Sequence, residues 1–198
     1  MKKILALLSL CLVVVLLSFT SLNNKKLVVI DAAHGGHDNG AAKNELYEKD
    51  IVEQIAKKIF QKNDPSKVEI VLLRDTDNFI SLEDRINTIN ELNPDLVISL
   101  HTNYHSENNK SGVEAYVSAK NSQHEASTEQ ARKLIEAIAN EKLQSRGVKQ
   151  ANFMILRKSN CPAITLELGF LSNENDRNYL TSEEGQNEIA TNIIKSIQ

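Results

Sequence analysis

Apolar residues in this chain fall into two kinds of run. Leu27 to Ile30, Val68 to Leu73, Leu96 to Leu100 and Ala163 to Leu168 are short, largely unbroken and rich in β-branched residues, the pattern of strands buried on both faces. Between them apolar residues recur at helical spacing, as Ile51, Ile55 and Ile59, Ile86 and Ile89, Leu134, Ile135 and Ile138, and Ile189, Ile193 and Ile197. Gly112 to Val117 alternates Val113, Ala115 and Val117 with more polar neighbours, which suits a more exposed edge strand. Local signals agree: Ser81 can cap a helix with Asp84 three residues on, Pro94 stops the second helix, and Gly147 follows the third. This alternation predicts an α/β fold, a three-layer α/β/α sandwich around a mixed, mainly parallel sheet, as one domain over residues 27–198.

The beginning of the chain has a different character. Lys2 and Lys3 precede an apolar run from Ile4 to Leu17, followed by Ser18, Thr20 and Ser21, which reads as a secretory signal over residues 1–20 with cleavage near Thr20 and a short linker at 21–26. The run is shorter than the roughly 20 residues of a spanning helix, although Phe19 and Leu22 could extend it into an uncleaved anchor. Cys11 follows Leu10, where a lipid-attachment site would have a small residue. The expected location is exported, in the periplasm or cell envelope.

Composition narrows the function. Of 198 residues, 41% are hydrophobic and 25% charged, which excludes the disordered class, and the net charge of −3 argues against a nucleic-acid partner. Two cysteines exclude a disulfide framework, and Cys161 beside Pro162 suggests packing. The chain has no Walker loop, dinucleotide fingerprint or Gly-flanked nucleophilic serine.

In parallel sheets functional groups gather where strands end. Just past or within the ends of three apolar runs stand Asp31 with His34-Gly35-Gly36, His101 with Asn103, and Glu167 before Gly169. Glu48 opens the helix containing Ile51 and would aim back at the same rim. Two imidazoles and a carboxylate form a catalytic zinc set with an open position, and the residues alone leave open which carboxylate completes it. Each residue also has an ordinary reading: His34 as a loop residue, Glu48 or Asp50 as a helix-dipole partner, Glu167 in a structural ion pair with Arg85 or Arg157. Glu167 is the least ordinary, because burial between Leu166 and Leu168 raises a carboxyl pKa unless a cation compensates. His37, His105 and His124 read as exposed loop residues.

Taken in order, Val28 to Asp31 with His34-Gly35-Gly36 and Gly40-Ala41, Glu48 to Ile51, Ser99 to Asn103, Ser111 to Glu114, and Pro162 to Asn173 resemble the zinc-dependent N-acetylmuramoyl-L-alanine amidases of the type 3 family. Leu73-Arg74 through Leu82, Arg85 and Asn87, and Arg146 to Ala151 with Leu156-Arg157, add to the resemblance. It implies Zn2+ held by His34, Glu48 and His101, Glu167 as the catalytic residue, peptidoglycan as substrate, and cleavage of the amide between N-acetylmuramic acid and L-alanine. Alternatives are a zinc peptidase cutting within the stem peptide and a noncatalytic wall-binding or regulatory protein. The family usually reads Asp-Pro-Gly-His-Gly-Gly where this chain has Asp31-Ala32-Ala33-His34-Gly35-Gly36, so the loop into the first ligand loses a rigid proline and a permissive glycine. Some members insert a regulatory helix after the strand matching Gly112 to Val117, where this chain has only Ser118 to Thr128. The expected protein is a monomer, exported by a signal-dependent passage through the membrane, with any protein activator unidentified.

Overall fold

The alternation becomes, in the computed structural model, which describes residues 25–198, one six-stranded sheet flanked by helices. In chain order the elements are β1 (Lys26–Ala32), β2 (Ala42–Lys43), β3 (Leu46–Tyr47), α1 (Glu48–Lys62), β4 (Val68–Leu72), α2 (Leu82–Leu92), β5 (Leu96–Asn103), β6 (Val113–Val117), α3 (His124–Ile138), β7 (Ser145–Gln150), α4 (Met154–Lys158), β8 (Ala163–Phe170), α5 (Glu174–Thr181) and α6 (Glu183–Ile197). The export signal expected at 1–20 lies outside the described residues. Of the expected linker, Lys26 already belongs to β1.

The sheet order is β4-β1-β5-β8-β6-β7, with β4, β1, β5 and β8 parallel and β6 antiparallel to β8. Alternation along the strands divides the core. Val28, Ile30, Ile98, Leu100, Ile164 and Leu166 point to the face covered by α1, α3 and α6, whose Ile55, Leu134 and Ile193 are fully buried. Val29, Val97 and Ala163 point to the other face, where α2 supplies Ile86 and Ile89 and α4 supplies Ile155 and Leu156. Among the described residues that second face is covered by helices of 11 and 5 residues, against three of 15 on the first. Part of its sheet surface therefore remains open beyond the strand ends.

Helix ends follow the local chemistry. Ser81 accepts a hydrogen bond from the Asp84 amide at 3.1 Å, and Asn93 ends α2 in the left-handed region, just before Pro94. Cys161 is buried, and burial pushes its thiol up to about 11, consistent with packing.

Three expectations need correction. Val113 to Val117 is not an edge strand; β6 lies between β8 and β7 with Val113, Glu114, Ala115 and Val117 buried. The edge is β7, whose sequence Ser-Arg-Gly-Val-Lys-Gln is too polar to read as a strand and is recruited by pairing with β6. Gly147 consequently lies inside β7 rather than after a helix, and α3 ends at Ile138. His124 is half-buried as the first residue of α3, and His105 is also half-buried, whereas His37 is exposed as expected.

Candidate metal centre

Strands β1 and β5 pair with Ala32 opposite Leu100, so the residues just beyond them share one rim. His34 follows β1 by two residues, and His101 comes one residue after Leu100. The β2–β3 hairpin returns the chain to the rim, where α1 starts with Glu48 as its first residue. Glu48 Oε1 consequently stands 3.2 Å from His34 Nε2 and 3.0 Å from His101 Nδ1. One ligand atom from each of the three residues lies within 4.8 Å of the others.

The arrangement fits a zinc ion. Donors at roughly 2.0–2.2 Å in a tetrahedron stand about 3.3 Å apart, close to the two separations found here. Two of the donors are held from behind: Asp38 Oδ2 is 2.8 Å from His34 Nδ1, which leaves Nε2 facing the centre. The Ala41 amide donates to Glu48 Oε2 at 2.7 Å and the Thr102 amide donates to Oε1 at 3.0 Å. Burial works to raise the Glu48 pKa, but hydrogen bonds from His101 and His34 outweigh it and hold the carboxyl well below its usual range. Burial likewise lowers the His34 pKa, yet Glu48 and Asp38 prevail and raise it to about 9. A cation at the centre must therefore displace a proton from His34, which couples metal affinity to pH. Gly40 is required by the crowding, because a Cβ there would stand 2.5 Å from Glu48 Oε2 and 2.6 Å from His34 Cδ2, at a φ of +65°.

The Ala32-Ala33 departure is accommodated at the next residues. Ala32 ends β1, the Ala33 amide donates to the Leu100 carbonyl at 3.2 Å, and His34 itself takes a left-handed φ of 61°. Such a conformation costs about 1–2 kcal/mol in a non-glycine residue and needs support. Two buried arginines supply it. Arg74 donates to the Ala32 and Ala33 carbonyls, both at 2.9 Å, and Arg85 donates to the carbonyls of Ala32 and His34. Arg85 also pairs with buried Asp31, whose other oxygen accepts from Ser99 Oγ at 2.6 Å. Arg85 is thus not the partner of Glu167.

Glu167 lies on β8 in register with His101 of β5 and Glu114 of β6, so the three side chains share the thinly covered face. It stands outside the group of three potential ligands, and its Oε2 is buried with no hydrogen-bond partner among the described residues. Burial pushes its pKa up to about 7, against the lowering effect of His101. Above His101 and Glu167 opens a cleft of about 640 Å3 whose walls include Phe79, Leu82, Phe153 and Met154. A second groove, of about 800 Å3, runs between α3 and β7 and includes none of His34, Glu48, His101 or Glu167.

Several residues at the site have a role that the sequence does not signal. Asp38 is marked only by its place four residues after His34, and Arg85, expected as a possible partner of Glu167, instead pairs with Asp31. Glu114, Arg146 and Lys149 stood only within motifs of the resemblance.

Comparison with known proteins is consistent along the described chain. The family model for N-acetylmuramoyl-L-alanine amidase matches residues 28–198. The chain is 34% identical over 177 residues to YqiI, an uncharacterized protein of Bacillus subtilis strain 168, covering 87% of this chain and 83% of that one. It is 34% identical over 158 residues to the N-acetylmuramoyl-L-alanine amidase LytC of the same organism, covering 77% of this chain but only 31% of LytC. The crystal structure of an N-acetylmuramoyl-L-alanine amidase from Clostridium difficile 630 superposes with a TM-score of 0.81 at 32% identity, over 88% of this chain and 95% of that one.

Proposed function

The chain belongs to the N-acetylmuramoyl-L-alanine amidase family and is a peptidoglycan amidase, and from that premise we propose that it is a zinc hydrolase cutting the amide between N-acetylmuramic acid and the L-alanine of the stem peptide. The observation that carries the reading is the meeting of His34, Glu48 and His101 at one rim, with Glu167 in register beside His101.

In this reading His34 Nε2, His101 Nδ1 and Glu48 hold the zinc. When bound, zinc supplies Lewis-acid polarisation of the scissile carbonyl and makes water more acidic. Asp38 fixes the His34 ring, and the Ala41 and Thr102 amides fix the Glu48 carboxylate, so these two donors are oriented before substrate arrives. Glu167 Oε2, unpartnered and beside the centre, takes a proton from the attacking water. It returns that proton to the amide nitrogen as the carbon–nitrogen bond breaks, leaving a lactyl carboxyl group and a free alanine amine. A carboxyl raised to about 7 is basic enough to accept the proton near neutral pH and acidic enough to give it back. The cleft above these groups is walled in part by the exposed apolar side chains of Phe79, Leu82 and Phe153.

The substrate lies outside the cytoplasm, and Lys2-Lys3 with Ile4 to Leu17 would export the chain, with cleavage near Thr20. Purified peptidoglycan digested with and without a chelator tests the reading, with products identified by mass spectrometry. The expected product is a stem peptide with free N-terminal L-alanine, lost on chelation. Fragments cut within the stem would indicate a peptidase instead, and binding without any product a noncatalytic wall protein.

A further inference from the structure

The row of side chains that starts at His101 and Glu167 does not stop there. The next position, Glu114 on β6, is 2% exposed and accepts four side-chain hydrogen bonds. Its Oε1 takes Asn103 Nδ2 at 2.9 Å and the Tyr116 hydroxyl at 2.7 Å, and its Oε2 takes Arg146 Nε at 2.7 Å and Lys149 Nζ. Two cations converge on this one buried carboxylate. Both cations come from the edge strand β7, and their side chains are 31% and 38% exposed. Arg146 spends Nη1 on the Ser111 carbonyl at a long 3.3 Å, while its Nη2 and two of the Lys149 protons have no partner among the described residues. The Lys149 ammonium lies 5.8 Å from the Tyr116 ring centre, and that ring lies 5.5 Å from Phe153, a wall of the cleft.

We propose that Arg146 and Lys149, seated on Glu114, form a subsite for a carboxylate on the second residue of the stem peptide. The proposal rests on the amidase reading above and adds the recognition of a substrate group. The second residue of a peptidoglycan stem is γ-linked D-glutamate, which presents its α-carboxyl either free or amidated. Extended, the path from the scissile nitrogen across the alanine to that carboxyl carbon is about 7 Å, and a hydrogen bond brings the total to about 10 Å. Strand β7 lies two strands from β8, also about 10 Å away at the usual spacing. A substrate reacting beside Glu167 and extended across β6 therefore brings its first available carboxylate to the two cations. Asn103 and Tyr116 hold Glu114 in place, so the cations are presented on a rigid base rather than on free surface side chains.

The test compares two muropeptides that differ only in carrying D-glutamate or D-isoglutamine at the second position. Wild type should favour the free acid by about tenfold in kcat/KM, the effect of one charge-assisted hydrogen bond partly screened by water. K149Q should bring that ratio close to one, mainly through KM for the acid, and K149R should restore it. A second readout does not depend on cleavage: titration of L-alanyl-γ-D-glutamyl-L-lysine and its isoglutamine analogue into zinc-loaded protein, with the same preference expected in Kd. Failure to release N-terminal alanine from either muropeptide would refute the amidase reading, and the peptide titration would still decide the subsite. A wild type with no acid preference in binding, or a K149Q protein that keeps the preference, would overturn the proposal.

Discussion

Glu167→Gln should produce an enzyme that is nearly inactive and more stable than its parent. In the folded protein the carboxyl is raised from 4.5 to about 7, chiefly by burial, and among the described residues Oε2 has no hydrogen bond for the substitution to break. Below about pH 4.5 the side chain is protonated in folded and unfolded chains alike, and ionisation contributes nothing to the difference. Between about 4.5 and 7 the unfolded chain ionises first, so wild-type stability falls as pH rises, and above about 7 the loss is complete. A rise from 4.5 to about 7 corresponds to roughly 3 kcal/mol at its upper end. The glutamine protein is spared that loss. In chelator-treated protein its urea midpoint should match wild type near pH 4 and exceed it progressively up to about pH 8. With zinc bound the gap should narrow, because a cation favours the charged carboxylate. Turnover should fall by about 10²-fold or more, since glutamine fits the site but cannot accept the proton, while zinc content stays near that of wild type. Equal midpoints at pH 8, or turnover within about tenfold of wild type with zinc bound, would refute the reasoning.

Glu48→Gln, by contrast, replaces an anionic donor by a neutral one and should lose zinc and activity together on dialysis against a chelator, measured as metal content per chain. Asp38→Ala removes the acceptor that fixes the His34 ring and should weaken zinc affinity by about 10–100-fold in a competition titration. Arg85→Met leaves buried Asp31 with only the Ser99 hydroxyl and should cost about 3–5 kcal/mol in urea unfolding; a loss under about 1 kcal/mol would contradict the pairing. Only residues 118–123 separate β6 from α3, too few for a stable covering helix, so the purified chain should cut wall material without an added activator, assayed by release of soluble stem peptide.

The sequence made the centre legible where a residue contradicted its surroundings. His101 ends an apolar strand, Glu167 interrupts one, and Glu48 opens an amphipathic helix, so each was conspicuous against a periodic background. What periodicity could not show was pairing. Strand β7 carries Arg146, Gly147 and Lys149 and has no apolar run of its own, so it became visible only when β6 lay beside it. The contacts of Arg74 and Arg85, though both residues stood in the resemblance, were hidden for a related reason: they satisfy carbonyls about 40 to 50 residues away, and no local spacing encodes that. The positions of Glu48 and Glu167 support the roles proposed for them, because one sits among the ring nitrogens of both histidines and the other beside them without a partner among the described residues.

The reversal at β6 explains why the rim can hold so much chemistry. Had β6 run parallel to β8, its first residues would lie at the far end of the sheet, and Glu114 could not pair with Glu167. Because it runs antiparallel, the start of β6 lies where β5 and β8 finish, and β7, parallel to β6, begins at the same rim. Its cations therefore arrive beside the carboxylates rather than behind the core. The same face is covered only by the short helices α2 and α4, so these groups stay open to substrate, while the three long helices opposite bury most of the apolar surface that holds the sheet together. Stability and access are thereby assigned to opposite faces, which is why a buried, partnerless carboxyl such as Glu167 can be tolerated at the rim.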